Sequence, residues 1–253
     1  MRVVLSRKGY DSASGGMPSP ILPDGTLLSL PIPARDTTVT YADLYYNGTS
    51  YFDIIKQLKP SSRIKEEWTC HLDPDLVEAI TKRTMPWYPL FGQVNQSQQH
   101  LAQHGIGVGD LFLFWGWFKQ TAWHNGSLRY LAYAPDLHII WGYMKVAKLT
   151  TGTDMPSAYA YHPHGQMKSP MNAIYEGDSS MMGMLKYDEK RVLTKNGLSR
   201  SKWDLPDFFR NLSISYHTSE SFKDGYFQSA MRGQEFVIEE SKDIEEWASN
   251  IIS

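Results

Sequence analysis

Cysteine is nearly absent from this sequence. Among 253 residues there is one, Cys70. A single thiol excludes a disulfide within the chain and any zinc site that needs several cysteines of the same chain. It also fits a reducing compartment, so we expect a cytoplasmic protein.

Long apolar runs and a strong net charge are missing as well. No apolar stretch approaches the roughly 18 residues that a membrane span requires. Nor is Arg2 followed by the continuous apolar segment of a secretory signal. We therefore expect no membrane partner. The formal net charge is −2 at pH 7, which excludes a global basic field for nucleic acid, so any such contact needs a local patch or a base pocket.

Apolar and aromatic residues are abundant by contrast. Hydrophobic residues make up 42% of the chain, enough for a sizeable core, and Phe, Trp and Tyr make up 13%. The aromatic content fits a large β-core, or a pocket whose walls hold a flat ligand. No internal repeat, low-complexity linker or break in composition divides the chain. We predict one domain over residues 1–253.

Local patterns predict a β-rich chain with a few short helices. "RVVL" and "RGQEFVI" are typical of strands, and Asp24-Gly25 favours a hairpin turn between two apolar stretches. Helical spacing predicts helices over 51–58, over "NQSQQHLAQHG", and over "SKDIEEWASNII". "DPDLVEAITKR" predicts a further short helix or turn.

The middle of the chain has the most regular pattern. "GVGDLFLFWGWFKQ", "LRYLAYA" and "HIIWGYMKVAKL" predict three successive strands, the first of them apolar on both faces. Gly116 and Gly142 inside these strands favour bends or close backbone approach. A helix, a Gly-Asp turn and strands in this order resemble the PUA-like barrels, among them the EVE and ASCH domains. The resemblance implies an α+β fold, a single domain built around a PUA-like mixed β-barrel at about residues 90–150, with peripheral helices and long loops.

The stretch "SRKGYDSASGG" follows the first predicted strand with small, charged and hydroxylated residues. Its glycines permit backbone N–H groups to converge, and Arg7 and Lys8 add positive charge, which suits a cradle for phosphate or carboxylate. The glycine spacing is not that of a Walker loop. The alternative is a surface turn with a salt bridge among Arg7, Lys8 and Asp11.

In "CHLDPDL", His71, Asp73 and Asp75 alternate along the chain. In an extended segment they would share one face, and an imidazole with two carboxylates can hold a divalent metal or share a proton. The alternative is a helix entry, where an Asp caps backbone N–H groups and the proline starts the helix.

In "YHPHG", His162 and His164 flank a proline. Because Pro163 fixes its φ, we expect an extended pair whose rings lean to one side and suit a metal or a phosphate. An accidental pairing of two histidines is the alternative.

An aromatic wall is predicted from Trp115 and Trp117, which share a strand face, with Trp141 on a neighbouring strand. Stacking on a nucleobase contributes roughly 1–3 kcal/mol per base. A core role for at least two of the three is the alternative.

Two further segments offer polar candidates. Arg200 lies in "LSRSKW", and "RGQEFV" places Gln234 and Glu235 on opposite faces of a strand. A buried glutamine can read a base edge through paired hydrogen bonds, and a structural hydrogen bond is the alternative.

Seven stretches resemble the nucleotide-modification-associated domain family, type three. They are "LSRKGYDSASGGMPSPILPDGTLLSLPIP", "HLDPDL", "PLFGQ", "GVGDLFLFWGWF", "DLHIIWGYMKV", "SRSKWDLPDFF" and "RGQEFV", in this order from residue 5 to residue 237. The resemblance implies a setting in systems that make or handle modified nucleotides, not a particular reaction. It favours one site that unites the polar residues of these stretches, namely Arg7, Lys8, Asp11, His71, Asp73, Asp75, Arg200, Gln234 and Glu235.

We therefore expect a protein that acts on, or recognises, a modified base or nucleotide. Its pocket would be formed by the N-terminal Gly-rich loop, the HLDPDL segment and C-terminal loops. The catalytic candidates are His71, Asp73, Asp75, Asp11 and Glu235. The ligand-binding candidates are Arg7, Lys8, Ser12, Trp115, Trp117, Arg200 and Gln234, and the metal candidates are His162 and His164.

The predicted partner is a nucleotide or a modified nucleic acid. An enzyme of this kind would be a carboxylate- or metal-assisted hydrolase or transferase on nucleotides, with a divalent metal as its cofactor. Two alternatives stay open at this point. One is a non-catalytic reader of modified nucleic acid, similar to EVE and YTH domains; the other is a small-molecule enzyme unrelated to nucleic acid.

Overall fold

A computed structural model of the chain describes residues 1–35, 37–231 and 233–253. In these ranges the α-helices are α1 (Tyr51–Leu58), α2 (Asn95–Gln103) and α3 (Lys242–Ile252). The strands are β1 (Val3–Arg7), β2 (Ser19–Ile21), β3 (Tyr45–Tyr46), β4 (Thr49–Ser50), β5 (Leu90–Val94), β6 (Leu111–His124), β7 (Ser127–Tyr130), β8 (Leu137–Thr151), β9 (Asn172–Met184), β10 (Lys202–Trp203), β11 (Phe222–Lys223), β12 (Tyr226–Gln228) and β13 (Glu235–Ile238).

One large curled sheet carries the fold. Within the described ranges it has eight strands in the order β13-β1-β6-β8-β9-β5, while β2 and β7 pair with β6 outside that path. The chain is thus mostly β with a few helices, in keeping with the predicted α+β class. β1 lies between an antiparallel β13 and a parallel β6, and Arg7 at its end pairs with Trp115. This pairing sets the N-terminal loop beside the middle of β6.

The two faces of β6 are both buried, as its sequence predicts. Leu111 and Leu113 face a core cluster that is covered by α3, and Phe112 and Phe114 face a second cluster on the other side of the sheet. Burial of such side chains contributes about 1.5–3 kcal/mol each. The strand is therefore a rigid support for the loop that lies beside its middle.

The three predicted helices are confirmed. Ser50 caps α1 by accepting a hydrogen bond from the Asp53 N–H. α2 ends before Gly105, whose φ of +67° suits glycine. α3 begins after Ser241, whose side chain caps it. None of the helices in the described ranges combines the length and the apolar character needed to cross a lipid bilayer.

Two strands of the sheet were not anticipated. β5 is only five residues long, and β9 is rich in Gly, Ser and Met, which do not give the alternation of a strand. β9 forms because it pairs with β8 on one side and β5 on the other.

The predicted hairpin is only partly present. Its turn forms, and the two arms meet in one isolated bridge, Ile21 with Leu27, but the first arm also pairs with β6 and the second makes a further bridge, Thr26 with Lys186.

The segment after Cys70 does not begin a helix at either aspartate, so the capping interpretation is wrong. Asp75 pairs in a bridge with Leu90, and the short 3-10 helix Glu78–Ile80 starts only after Val77, which makes no side-chain cap. The peptide bond between Asp73 and Pro74 is cis. Because neither aspartate caps a helix, both side chains are available for other contacts.

Candidate functional site

Two adjoining cavities open where the N-terminal loop meets the sheet. The smaller, of about 210 Å³, is lined by side chains that include His71, Asp73 and His164. The larger, of about 770 Å³, is walled by Trp115 and Trp117 among others. Arg7 and Asp11 line both cavities. We call them the polar cavity and the aromatic cavity.

The N-terminal loop reaches this place because β1 continues its pairing past its last residue. The Lys8 N–H donates to the Trp115 carbonyl at 2.8 Å. Gly116 is required next to it, since a Cβ there would lie 2.6 Å from the Lys8 carbonyl oxygen. The close backbone approach predicted at this glycine is confirmed.

The loop itself is folded around Asp11. Its Oδ1 accepts hydrogen bonds from the Ala13 and Ser14 N–H groups at 2.8 and 2.6 Å, and its carbonyl accepts from the Gly16 N–H. The expected backbone cradle for an anion is therefore wrong for these N–H groups, because the loop's own oxygens use them. What the loop presents to the cavities is side chains, notably Arg7 and Asp11.

Asp73 lies at the centre of a cluster of imidazoles. Its side chain is only 4% exposed, and its Oδ1 accepts from the Gly92 N–H at 2.8 Å. Its Oδ2 lies 3.6 Å from His71 Nε2 and 3.9 Å from His164 Nε2. Both distances are too long for hydrogen bonds. One carboxylate oxygen and two imidazole nitrogens thus converge at the wall of the polar cavity without hydrogen bonds between them.

The buried side of this cluster fixes which nitrogen of each histidine carries the proton. Asn172 uses its amide NH₂ on the His164 carbonyl at 2.9 Å, so its Oδ1 accepts from His164 Nδ1–H at 2.8 Å. His164 Nε2 then carries a lone pair toward Asp73. In His162, Nδ1 accepts from the His164 N–H at 3.3 Å, which leaves the proton on Nε2, 3.3 Å from Asp73 Oδ1.

The two histidines of "YHPHG" therefore differ in position. The predicted extended pair is wrong, because Pro163–Gly165 forms a 3-10 turn that begins after His162. The turn brings the His164 ring to 5.3 Å from the His71 ring. His162 lies behind Asp73, with no exposed side-chain surface.

Burial and neighbouring charge set the ionisation of the cluster. Burial opposes the charged form of Asp73, but His162 and His71 outweigh it and hold the pKa of this carboxyl well below its usual range. Burial lowers the pKa of His164 to about 4, against the pull of Asp73. At neutral pH the cluster therefore contains a carboxylate beside a neutral imidazole.

Asp75 does not join this cluster, so the predicted common face of the three residues holds only for His71 and Asp73. The Asp75 carboxylate accepts from Arg83 Nη2 at 2.8 Å and from Trp87 Nε1 at 3.2 Å. Burial raises its pKa, although Arg83 opposes the shift. Asp75 lines a separate cavity together with Arg83.

Glu235 lies behind the polar cavity rather than on its surface. It is 1% exposed, and its Oε1 accepts from Lys8 Nζ at 2.9 Å and from Gln93 Nε2. Lys8 and Gln93 do line the cavity. This arrangement makes Glu235 a support for the cavity wall. Gln234, the neighbouring residue, is exposed and lines the same cavity.

The aromatic cavity combines flat and basic side chains. The Arg200 guanidinium lies 4.2 Å from the centre of the Trp117 ring, and its Nη2 donates to Ser12 Oγ at 2.7 Å. Arg7 lies 6.0 Å from the Trp115 ring. Among the described residues no carboxylate lies within 4 Å of either guanidinium. Two guanidinium groups without a salt bridge therefore face this cavity, and the carboxyl groups of Asp11 and Asp136 line it as well.

Trp115 is both a core residue and a wall of the cavity. It is 1% exposed and packs against Trp203, and its indole N–H has no hydrogen-bond partner among the described residues. Trp141 belongs to the core cluster on the other side of the sheet, so the alternative of a core role is the correct one for this residue.

His138 shares the aromatic cavity. Its Nδ1 accepts from Trp203 Nε1 at 3.0 Å, so its proton is on Nε2. Burial lowers its pKa to about 3, and the nearby Arg200 and Arg7 add to the effect. It is a neutral hydrogen-bond donor at physiological pH.

Sequence reasoning missed Asn172 and Gln93 as members of the site. Asn172 carries no motif, and its role depends on β9 placing it beside His164. Gln93 lies in "PLFGQ", one of the stretches that carries the family resemblance, and that was the available signal.

Gly92 is the tightest point of the cluster and gives a direct prediction. A Cβ on Gly92 would lie 2.2 Å from the His164 ring. We expect Gly92→Ala to lower the free energy of unfolding by about 1–3 kcal/mol, because overpacking forces His164 to move. Urea unfolding measures this, with Gly107→Ala as the control, since a Cβ there meets nothing within 4 Å. Equal stability of the two variants would contradict the described packing.

Comparison with known proteins agrees with the sequence resemblance. No curated protein and no solved structure matches the chain. A family model described as nucleotide modification associated domain 3 matches residues 2–239. The match spans every element that builds the two cavities, and the chain belongs to the nucleotide modification associated domain 3 family.

Proposed function

We propose that this chain binds one modified nucleotide across the two cavities and acts on it in the polar cavity. The observation that carries the proposal is their junction: Arg7 and Asp11 belong to both walls, so one ligand can reach from the aromatic cavity to the His71–Asp73 cluster. The family supplies the setting of nucleotide modification systems.

The aromatic cavity suits the base and its phosphate. Its volume of about 770 Å³ falls in the about 300–1,000 Å³ range of ligand pockets. The Trp117–Arg200 stack offers a flat face to a base, while the two guanidinium groups match a phosphate. His138 adds a neutral N–H donor for a base edge. The PUA-like assignment of the sheet stays a prediction, and the proposal does not depend on it.

The polar cavity suits the reacting group. Imidazole and carboxylate side chains either move protons themselves at neutral pH or hold a metal ion that activates water, and either role serves hydrolysis or transfer at a phosphoryl or glycosidic bond. His71 is the most accessible imidazole of the cluster, with 24% of its side chain exposed. A small-molecule enzyme unrelated to nucleotides would not need the aromatic cavity beside it.

Trp117 provides the test of nucleotide binding. Loss of one base stack costs about 1–3 kcal/mol, so Trp117→Ala should raise the Kd for a nucleoside monophosphate by about 5- to 150-fold. Fluorescence titration of the full chain with the common and methylated deoxynucleoside monophosphates measures this. Trp117→Phe should retain most of the affinity.

Trp123 is the matched control, because it lies on the same strand but is 59% exposed and does not line the cavity. Trp123→Ala should leave the Kd unchanged. Equal effects of the two alanine variants would contradict the proposed binding mode. Tight binding with no conversion of any tested nucleotide would favour the non-catalytic reader.

A further inference from the structure

The convergence of His71, Asp73 and His164 is unexplained by their mutual contacts. One ligand-type atom from each residue lies within 4.8 Å of the other two. The Nε2–Oδ2 distances of 3.6 and 3.9 Å exceed hydrogen-bonding range. They are only somewhat longer than the roughly 3.0–3.4 Å that separates two ligand atoms sharing an ion at about 2.0–2.2 Å.

Each of the three atoms is also left free by its surroundings. Asp73 Oδ1 is used by the Gly92 N–H, which leaves Oδ2. His164 Nδ1 donates to Asn172, which leaves the lone pair of Nε2. Among the described residues, no hydrogen bond satisfies His71 Nε2 or Asp73 Oδ2.

An outer layer orients these groups in the way that protein metal sites use. A ligating histidine usually donates its second ring N–H to an oxygen acceptor, as His164 does to the fully buried Asn172. The His162 side chain is completely buried, and its Nε2 lies 3.3 Å from Asp73 Oδ1 without making an aligned hydrogen bond. A buried imidazole that faces the same carboxylate without an aligned hydrogen bond fits a group of this outer layer, which orients Asp73 and leaves its Oδ2 for a ligand.

We propose that His71 Nε2, Asp73 Oδ2 and His164 Nε2 bind one divalent transition-metal ion, with open coordination positions facing the polar cavity. His162 and Asn172 are positioning residues, not ligands, and Asp75 is excluded by its pairing with Arg83. Two imidazoles and one carboxylate suit zinc, iron or manganese, whereas magnesium prefers oxygen ligands. The ion would lie at the cluster where the proposed function places the reacting group, but the inference is tested with no nucleotide present, so the two proposals can fail separately.

The test is metal binding to the full, untagged chain after removal of metal by chelator. Calorimetric titration with Zn²⁺, Mn²⁺ and Mg²⁺, together with metal analysis after gel filtration, should give one tightly held Zn²⁺ per chain. Zn²⁺ should bind more tightly than Mn²⁺, in line with the general affinity order. Mg²⁺ should not compete. Co²⁺ should give a visible absorption band that reports bound nitrogen and oxygen ligands.

Three variants separate ligands from positioning residues. His71→Ala, on the accessible side of the cluster, and His164→Ala should abolish Co²⁺ absorption and stoichiometric Zn²⁺ binding. Asn172→Ser should weaken Zn²⁺ by about 10- to 100-fold while keeping the stoichiometry. His124→Ala, an exposed histidine at the end of β6, is the matched control and should not change binding.

The proposal is overturned if the folded chain binds no transition metal, or if His71→Ala and His164→Ala bind it as the parent chain does. Circular dichroism of each variant establishes folding. Should His164→Ala fail to fold, His71→Ala decides alone, because its side chain is partly exposed and removing it leaves the buried core intact.

Discussion

Replacing Arg7 and Arg200 together by glutamine should weaken the binding of a nucleoside monophosphate by about 100- to 10,000-fold. A hydrogen bond to a charged group contributes about 1.5–3 kcal/mol, and the two guanidinium groups act on the same cavity. Each lies over a tryptophan, at 6.0 and 4.2 Å from the ring centres, and neither has a carboxylate of the described residues within 4 Å. A phosphate is the anion that the proposed function places there.

The salt dependence of Kd distinguishes this explanation from a change of shape. The parent chain should lose affinity as ionic strength rises, because salt screens these charges, and the double variant should be nearly insensitive to it. Arg129→Gln, at an exposed position of β7, is the matched control and should leave both Kd and its salt dependence unchanged. If the double variant bound the nucleotide as well as the parent chain does, Arg7 and Arg200 would not be part of the binding site.

Lys8→Met should have the largest effect on stability, about 3–5 kcal/mol. The side chains of Lys8 and Glu235 are 9% and 1% exposed, and they form an ion pair at 2.9 Å. Removing one member leaves a buried carboxylate without its counter-charge, and Glu235 Oε2 already has no hydrogen-bond partner in the described chain. The free energy of unfolding in urea measures this loss.

A double variant shows whether the loss of stability comes from the unpaired charge of Glu235. Lys8→Met with Glu235→Gln should recover most of the lost stability, because the stranded charge is gone, and the interaction energy from the cycle should be large. Lys56→Met is the control, since its ammonium group donates to a carbonyl and lies over the Phe52 ring, with no carboxylate of the described residues in salt-bridge range. If Glu235→Gln alone abolished catalysis at full stability, Glu235 would act on the substrate and the supporting role given to it here would be wrong.

Local patterns predicted the parts of the fold that depend on local sequence. α1 and α3 follow from apolar spacing and caps, and β6 from its doubly apolar run. β9 could not be found in this way, because its pairing with β8 and β5, not its composition, makes it a strand. The hairpin at Asp24-Gly25 was predicted only in part. Its turn signal was correct, but a turn signal does not decide which strand the flanking residues pair with, and the arm before the turn pairs with β6.

In the candidate site, too, the local sequence pattern predicted some members and not others. The alternation of His71 and Asp73 placed two of its members on one face, because neighbours in an extended segment follow a two-residue period. Asp75 fits that period but pairs with Arg83, and nothing in the spacing reveals this partner. The positions of His162 and His164 depend on a turn and on Asn172, eight residues further along, so the motif indicated imidazoles without saying which one faces the cavity.

In the N-terminal loop, the side chains lie where we expected them, but the backbone N–H groups do not form the expected cradle. Its side chains Arg7 and Asp11 reach the two cavities, as expected for a site wall. The N–H groups of Ala13, Ser14 and Gly16 do not form the expected anion cradle, because all three donate to oxygens of Asp11. Glycine content alone does not distinguish a loop that binds an anion from a loop that binds its own carboxylate.

The central claim is that one nucleotide spans the two cavities, and a crystal structure of the chain grown with deoxynucleoside monophosphates tests it most directly. We predict that the base lies against Trp117 in the aromatic cavity, with the phosphate within hydrogen-bonding distance of Arg7 or Arg200 and the ligand directed toward Asp73. A nucleotide bound only at another surface, with both cavities free of it, would contradict the account.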